Sequence, residues 1–136
     1  MIPRLAHVAV VVRDLDTQTA IPAATLGLTV RDRTAVSAED AAVSFFPVGQ
    51  AEVELVQPLS GLSALARFLD HRGEGIHHVA LRVPSVDAAV AAAERAGLRF
   101  AGAAPRLGAY GTRIAFIHPS CLHGLLLELV QEESGA

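Results

Sequence analysis

Lysine is absent from this chain: all 11 basic residues among its 136 are arginine. A Schiff-base lysine or a phosphate-loop lysine is therefore excluded, because both mechanisms need an amine. No glycine-rich phosphate loop follows a strand, which leaves a dinucleotide-binding reading without support. Cysteine occurs once, at Cys121, so no internal disulfide can form and nothing points to an oxidising compartment. Long apolar runs are missing too. The longest near the N-terminus, Val8 to Val12, is far too short for a signal core or a membrane span. No basic block stands out and the net charge is −3, which argues against nucleic acid as a partner. The expectation is a soluble, cytoplasmic protein with no nucleic-acid or membrane partner.

What is present is a hydrophobic fraction of 51%, enough to build a core without staples in a chain the length of one ordinary domain. That chain repeats itself. Leu5-Ala6-His7-Val8-Ala9-Val10-Val11-Val12 lies over Ile76-His77-His78-Val79-Ala80-Leu81-Arg82-Val83, and both read as strands. Arg13-Asp14-Leu15-Asp16 and Pro84-Ser85-Val86-Asp87 follow as helix starts, with acids in the first turn. Alanine-rich stretches then end at Gly27-Leu28 and Gly97-Leu98, where glycine stops a helix. Proline at Pro22, in mid-helix, is expected to kink or shorten the first of these helices. Further on, Ser44-Phe45-Phe46 resembles Ala115-Phe116-Ile117, and Glu54-Leu55-Val56-Gln57 is identical to Glu128-Leu129-Val130-Gln131.

His7 and His78 are 71 positions apart, and Glu54 and Glu128 are 74 apart. Such near-equal offsets at both ends of a segment mark a duplication. Each copy reads as strand, helix, then three strands. Module one spans about residues 2–58, a connector 59–74, and module two about 75–133. The connector carries a short amphipathic helix from Ser63 to His71, broken by Arg72-Gly73-Glu74-Gly75. Neither half is large enough to bury a good core alone, so 1–136 is expected to be a single domain.

The matching positions carry chemistry. Side chains alternate along a strand, so His7 shares a face with Leu5, Ala9 and Val11, and His78 shares one with Ala80 and Arg82. Glu54 sits between Val53 and Leu55, and Glu128 lies among Leu125, Leu126, Leu127 and Leu129. A carboxylate in an apolar strand needs a partner, because burying a lone charge is expensive. Two histidines and two glutamates around one divalent ion satisfy one another and nearly neutralise the cluster. Imidazole nitrogen and carboxylate oxygen suit Co, Mn, Ni, Zn or Fe(II), and four protein ligands leave an open position for catalysis. His71, His77, His118 and His123 have no such pairing, and His77 should point away from His78.

With these residues in place, the chain resembles the vicinal oxygen chelate superfamily and, within it, methylmalonyl-CoA epimerases. The resemblance runs through Glu54-Leu55-Val56-Gln57-Pro58-Leu59-Ser60, then Phe68 to Ala80. It continues through Pro105-Arg106-Leu107-Gly108-Ala109-Tyr110-Gly111, Phe116-Ile117-His118-Pro119, and Gly124 to Leu129. It implies an α+β fold of two tandem βαβββ modules forming a curved mixed sheet around a metal cleft. Its ligand positions fall on His7, Glu54, His78 and Glu128. It also implies a homodimer and an isomerase that inverts the C2 centre of an acyl-CoA through an enolate, with Glu128 as one proton carrier. The expected substrate-side residues are Ser44, Arg106 and Tyr110. Counting back five residues from Pro47 puts Ala42 where some epimerases carry an acid or a base, with Ser44 on the same strand face. Two other activities use a similar scaffold: a glyoxalase-type lyase acting on a glutathione hemithioacetal, and a non-enzymatic small-molecule-binding module.

Overall fold

The computed structural model describes residues 3–108 and 111–132, so Tyr110 lies outside the described residues. Its contacts divide the chain into two compact units. One is His7–His77, and the other joins the residues before His7 to those from His78 on.

In the first unit β1 (Arg4–Val11), which enters it at His7, leads into α1 (Leu15–Leu26). Then come β2 (Arg31–Val36), β3 (Ala41–Val48), β4 (Ala51–Pro58) and α2 (Ala64–Arg72). The strands lie in the order β2-β3-β4-β1, with β1 parallel to β4 and the other pairs antiparallel. The predicted helix start is used: the Asp14 carboxylate accepts the backbone N–H groups of Asp16 and Thr17. The predicted stop is used as well, with Gly27 in the left-handed region at φ 65°. Pro22 does not shorten α1, which runs 12 residues through it. The helix loses one backbone donor there and is held at both ends by Asp14 and Gly27. Val12, Leu15, Ala42, Phe46 and Leu55 form the core between α1 and one face of the sheet. Each large apolar side chain buried there contributes about 1.5–3 kcal/mol.

The second unit contains β5 (Gly75–Val83) from His78 onward, α3 (Val86–Arg95), β6 (Arg106–Leu107), β7 (Arg113–Ile117) and β8 (Leu127–Gln131). Its strand order is β5-β8-β7-β6, again with the first strand parallel to the last and the rest antiparallel. Ser85 caps α3 by accepting the Ala88 N–H. Val83, Val86, Val90, Ala115, Ile117 and Leu129 form the core under that helix. The βαβββ order expected twice is thus found twice.

Registers repeat along with elements. Ala9 pairs with Glu54 across β1 and β4, and Ala80 pairs with Glu128 across β5 and β8. Phe45 lies opposite Glu54 on β3, and Phe116 lies opposite Glu128 on β7. No helix among the described residues is long and apolar enough to cross a membrane.

Candidate metal centre

Each unit builds one histidine–glutamate pair on the sheet face turned away from its helix. In the first unit, the residues packed against α1 include Val10, Val12, Val53 and Leu55. Alternation therefore sends His7 and Glu54 to the other side. His7 Nε2 lies 3.7 Å from Glu54 Oε2. In the second unit, Leu81, Val83, Leu127 and Leu129 face α3, so His78 and Glu128 share the opposite face. His78 Nε2 lies 3.6 Å from Glu128 Oε2.

These separations have a chemical meaning. Two ligand atoms each about 2.1 Å from one ion, at angles of about 90–120°, lie about 3.0–3.6 Å apart. Both pairs are at or close to the upper end of that range. Burial points the same way: Glu54 and Glu128 are each 7% exposed, and His78 is 8% exposed. Buried carboxylates facing imidazole nitrogens form a donor set that suits a borderline divalent cation.

The surroundings of the second pair are aromatic and cationic. The Phe116 ring meets His78 edge-on, with centroids 5.4 Å apart and planes at 90°. The Arg106 guanidinium carbon lies 5.6 Å from the centroid of the same ring. Arg106 therefore leans toward the Glu128 side of the sheet from β6, and it is solvent-exposed. Sequence reasoning placed Arg106 beside the site but could not see Phe116 as the surface that carries it.

Ser44 requires a correction. It pairs with Leu55 across β3 and β4, on the α1-covered face, and is 2% exposed. It is a core position on the side opposite Glu54 rather than a substrate-side one. Ala42 shares that face and packs with Leu15, Phe46 and Leu55. The β3 side chains that do face the Glu54 side include Val43, opposite Val56, and Phe45, opposite Glu54. Glu52, which pairs with His7 across β1 and β4, is a further carboxylate on that face.

The remaining histidines have local tasks. His77 stacks edge-on against Phe68 at 5.0 Å, and burial, then the nearby Arg72 charge, pushes its pKa below the usual value. His71 Nδ1 lies 2.7 Å from the Arg67 carbonyl. His118 receives the Ser120 N–H at the start of a short 3-10 turn. His123 is exposed, with its backbone at φ 58°.

A family model described as the glyoxalase/bleomycin resistance protein/dioxygenase superfamily matches residues 6–116. The chain belongs to this superfamily. Among its relatives, the ethylmalonyl-CoA/methylmalonyl-CoA epimerase of Cereibacter sphaeroides is 36% identical, over 96% of this chain and 99% of that protein. The mitochondrial methylmalonyl-CoA epimerase of Bos taurus is 34% identical, over 94% of this chain and 74% of that one. A solved Streptomyces coelicolor methylmalonyl-CoA epimerase variant, in complex with 2-nitronate-propionyl-CoA, superposes with a TM-score of 0.89. It is 30% identical and covers 98% of this chain and all of its own. Within the superfamily, then, the chain is a homologue of racemase/epimerase-type isomerases, and its fold is theirs.

Proposed function

We propose that His7, Glu54, His78 and Glu128 together bind one divalent metal ion, and that the protein inverts the C2 centre of methylmalonyl-CoA or a closely related acyl-CoA. The observation that carries this reading is the matched pair of His–Glu half-sites in a chain whose relatives are acyl-CoA epimerases. The donor set fits Co, Mn, Ni, Zn or Fe(II).

A C2–H flanked by a carboxylate and a thioester is weakly acidic, and its removal puts charge on the thioester oxygen. A divalent ion held by these four residues would supply Lewis-acid stabilisation of that charge. Glu128 serves as one proton carrier, its carboxylate taking the C2 proton and returning it. Its burial and its aromatic neighbour Phe116 keep water away from that carboxylate. Arg106 and Tyr110 serve the anionic parts of the substrate. The working unit is a cytoplasmic homodimer of single-domain chains, which light scattering at two protein concentrations tests.

The deciding experiment is proton NMR of methylmalonyl-CoA in D2O, using protein stripped of metal and then reloaded with Co(II). Metal-dependent loss of the C2 proton signal, with racemisation of a single enantiomer, is the expected result. Metal binding without any exchange at C2 would overturn the epimerase reading.

A further inference from the structure

Four residues of the second unit form one row across its sheet. Arg82 on β5 pairs with Val130 on β8, Val130 with Ile114 on β7, and Ile114 with Arg106 on β6. Directly paired residues share a face, so all four side chains emerge on the side that carries Glu128 and His78. The neighbouring row, Ala80, Glu128 and Phe116, lies two residues along the strands, about 6.6 Å away. An aliphatic floor of Val130 and Ile114 is thus flanked by an arginine at each end. Three strand spacings put the two arginine backbones about 14 Å apart. Both side chains are long enough to lean inward over the floor, and Arg106 already leans toward Phe116.

Among the described residues, the acids of this unit do not answer the two arginines. Asp87 pairs with Arg113, Glu132 with Arg4, and Glu128 with His78. Glu94 lies on α3, on the other side of the sheet. Neither Arg82 nor Arg106 has a hydrogen-bond or ion-pair partner among the described residues. For Arg106, which is exposed, solvent suffices. For Arg82 it does not, because that side chain is half-buried beside Val130 and Ala80. A guanidinium held partly out of water with no anion beside it is costly, and such a cost is met when an anion arrives. Duplication sharpens the contrast: the module-one counterpart of Arg82 is Val11, which is fully buried at 0% exposure. The cation belongs to the second module alone.

We infer that Arg82 and Arg106 form a two-arginine clamp for oxyanions of the substrate, seated over Val130 and Ile114 one row from Glu128. The inference rests on the acyl-CoA reading and adds to it the residue that the resemblance did not supply, Arg82. An acyl-CoA of this type offers oxyanions from two sources, the acyl carboxylate and the phosphates of its carrier. Planar guanidinium forks bind either one bidentately.

The test is calorimetric binding to the metal-loaded protein, wild type against Arg82→Gln and Arg106→Gln. Two probes separate the sources: coenzyme A, which has phosphates and no acyl carboxylate, and the N-acetylcysteamine thioester of methylmalonate, which has the carboxylate and no phosphate. Each variant is expected to bind one probe about 10- to 100-fold more weakly than wild type, while the other probe changes little. The affected probe identifies the oxyanion. If Arg82→Gln fails to fold, Arg82→Lys keeps the charge, loses the fork, and should weaken the same probe by a smaller factor. Wild-type affinity of the Arg82 variants for both probes would overturn the clamp, as would failure of both probes to bind wild type. Turnover of methylmalonyl-CoA by wild type, measured in parallel, shows whether the clamp alone has failed or the acyl-CoA reading with it.

Discussion

The Gln57 side-chain carbonyl accepts the backbone N–H of Leu15 at 2.8 Å, tying the end of β4 to the first turn of α1. The duplicate does the same: the Gln131 carbonyl accepts the Val86 N–H at 3.1 Å, between β8 and α3. Each glutamine lies three residues beyond a candidate metal ligand, Glu54 or Glu128, on the same strand. The bond that orients the helix thus also fixes the strand that carries the carboxylate.

Replacing either glutamine by leucine leaves an amide donor of the first helical turn without a partner, beside the fully buried Leu15 or Val86. We expect Gln57→Leu and Gln131→Leu each to lose about 1–2 kcal/mol of stability, the range for a lost cap or an unsatisfied buried donor. Urea unfolding measures this directly. Unchanged midpoints in both variants would show that these bonds do not hold the helices.

Strand alternation sets His78 and His77 on opposite faces, with His77 against Phe68. His78→Ala should lose bound metal and turnover, while His77→Ala should retain metal at near wild-type stoichiometry. Metal analysis of the two purified variants checks the assignment, and the reverse pattern would mean that the register is off by one residue.

Glu128→Gln keeps the shape of the side chain and removes its ability to take a proton. Turnover should fall by about 10²–10⁴-fold, the usual contribution of a positioned acid–base group, and metal affinity should weaken as well. Steady-state kinetics at saturating metal separates the two effects. A variant with near wild-type kcat would remove Glu128 from the proton transfer.

Ser44 and Ala42 belong to the α1-covered core. Ser44→Ala should therefore leave KM within about twofold of wild type, whereas a substrate contact would cost about tenfold, as one lost hydrogen bond does. Ala42→Glu should destabilise the fold by several kcal/mol, because it drives a charge among Leu15, Phe46 and Leu55. Thermal unfolding together with initial rates reads both variants. A stable, more active Ala42→Glu protein would contradict the face assignment.

The duplication, the helix starts around Asp14 and Ser85, and the common faces of His7 with Ala9 and of His78 with Ala80 were all legible in the chain. They follow from periods of two and from local capping chemistry. The face of β3 was not. Ala41, Ala42, Val43 and Ser44 are all within 2% of complete burial, so this strand shows no alternation of exposed and covered positions. Only the pairing of Phe45 with Glu54 decides which of its residues look toward the carboxylate. Counting back from Pro47 selected the other parity. The Arg106–Phe116–His78 arrangement was equally out of reach, because it depends on the register of the two-residue strand β6 against β7. The row that joins Arg82 to Arg106 depends on three such registers.

The most direct test of the account is the number of metal ions per chain and what each half-site contributes to it. Co(II)-reloaded wild-type protein, measured by elemental analysis after gel filtration, should hold one ion per chain. His7→Ala and His78→Ala should each lose that same ion. Two ions per chain, or loss in one variant with full retention in the other, would mean that the two His–Glu pairs do not share a metal.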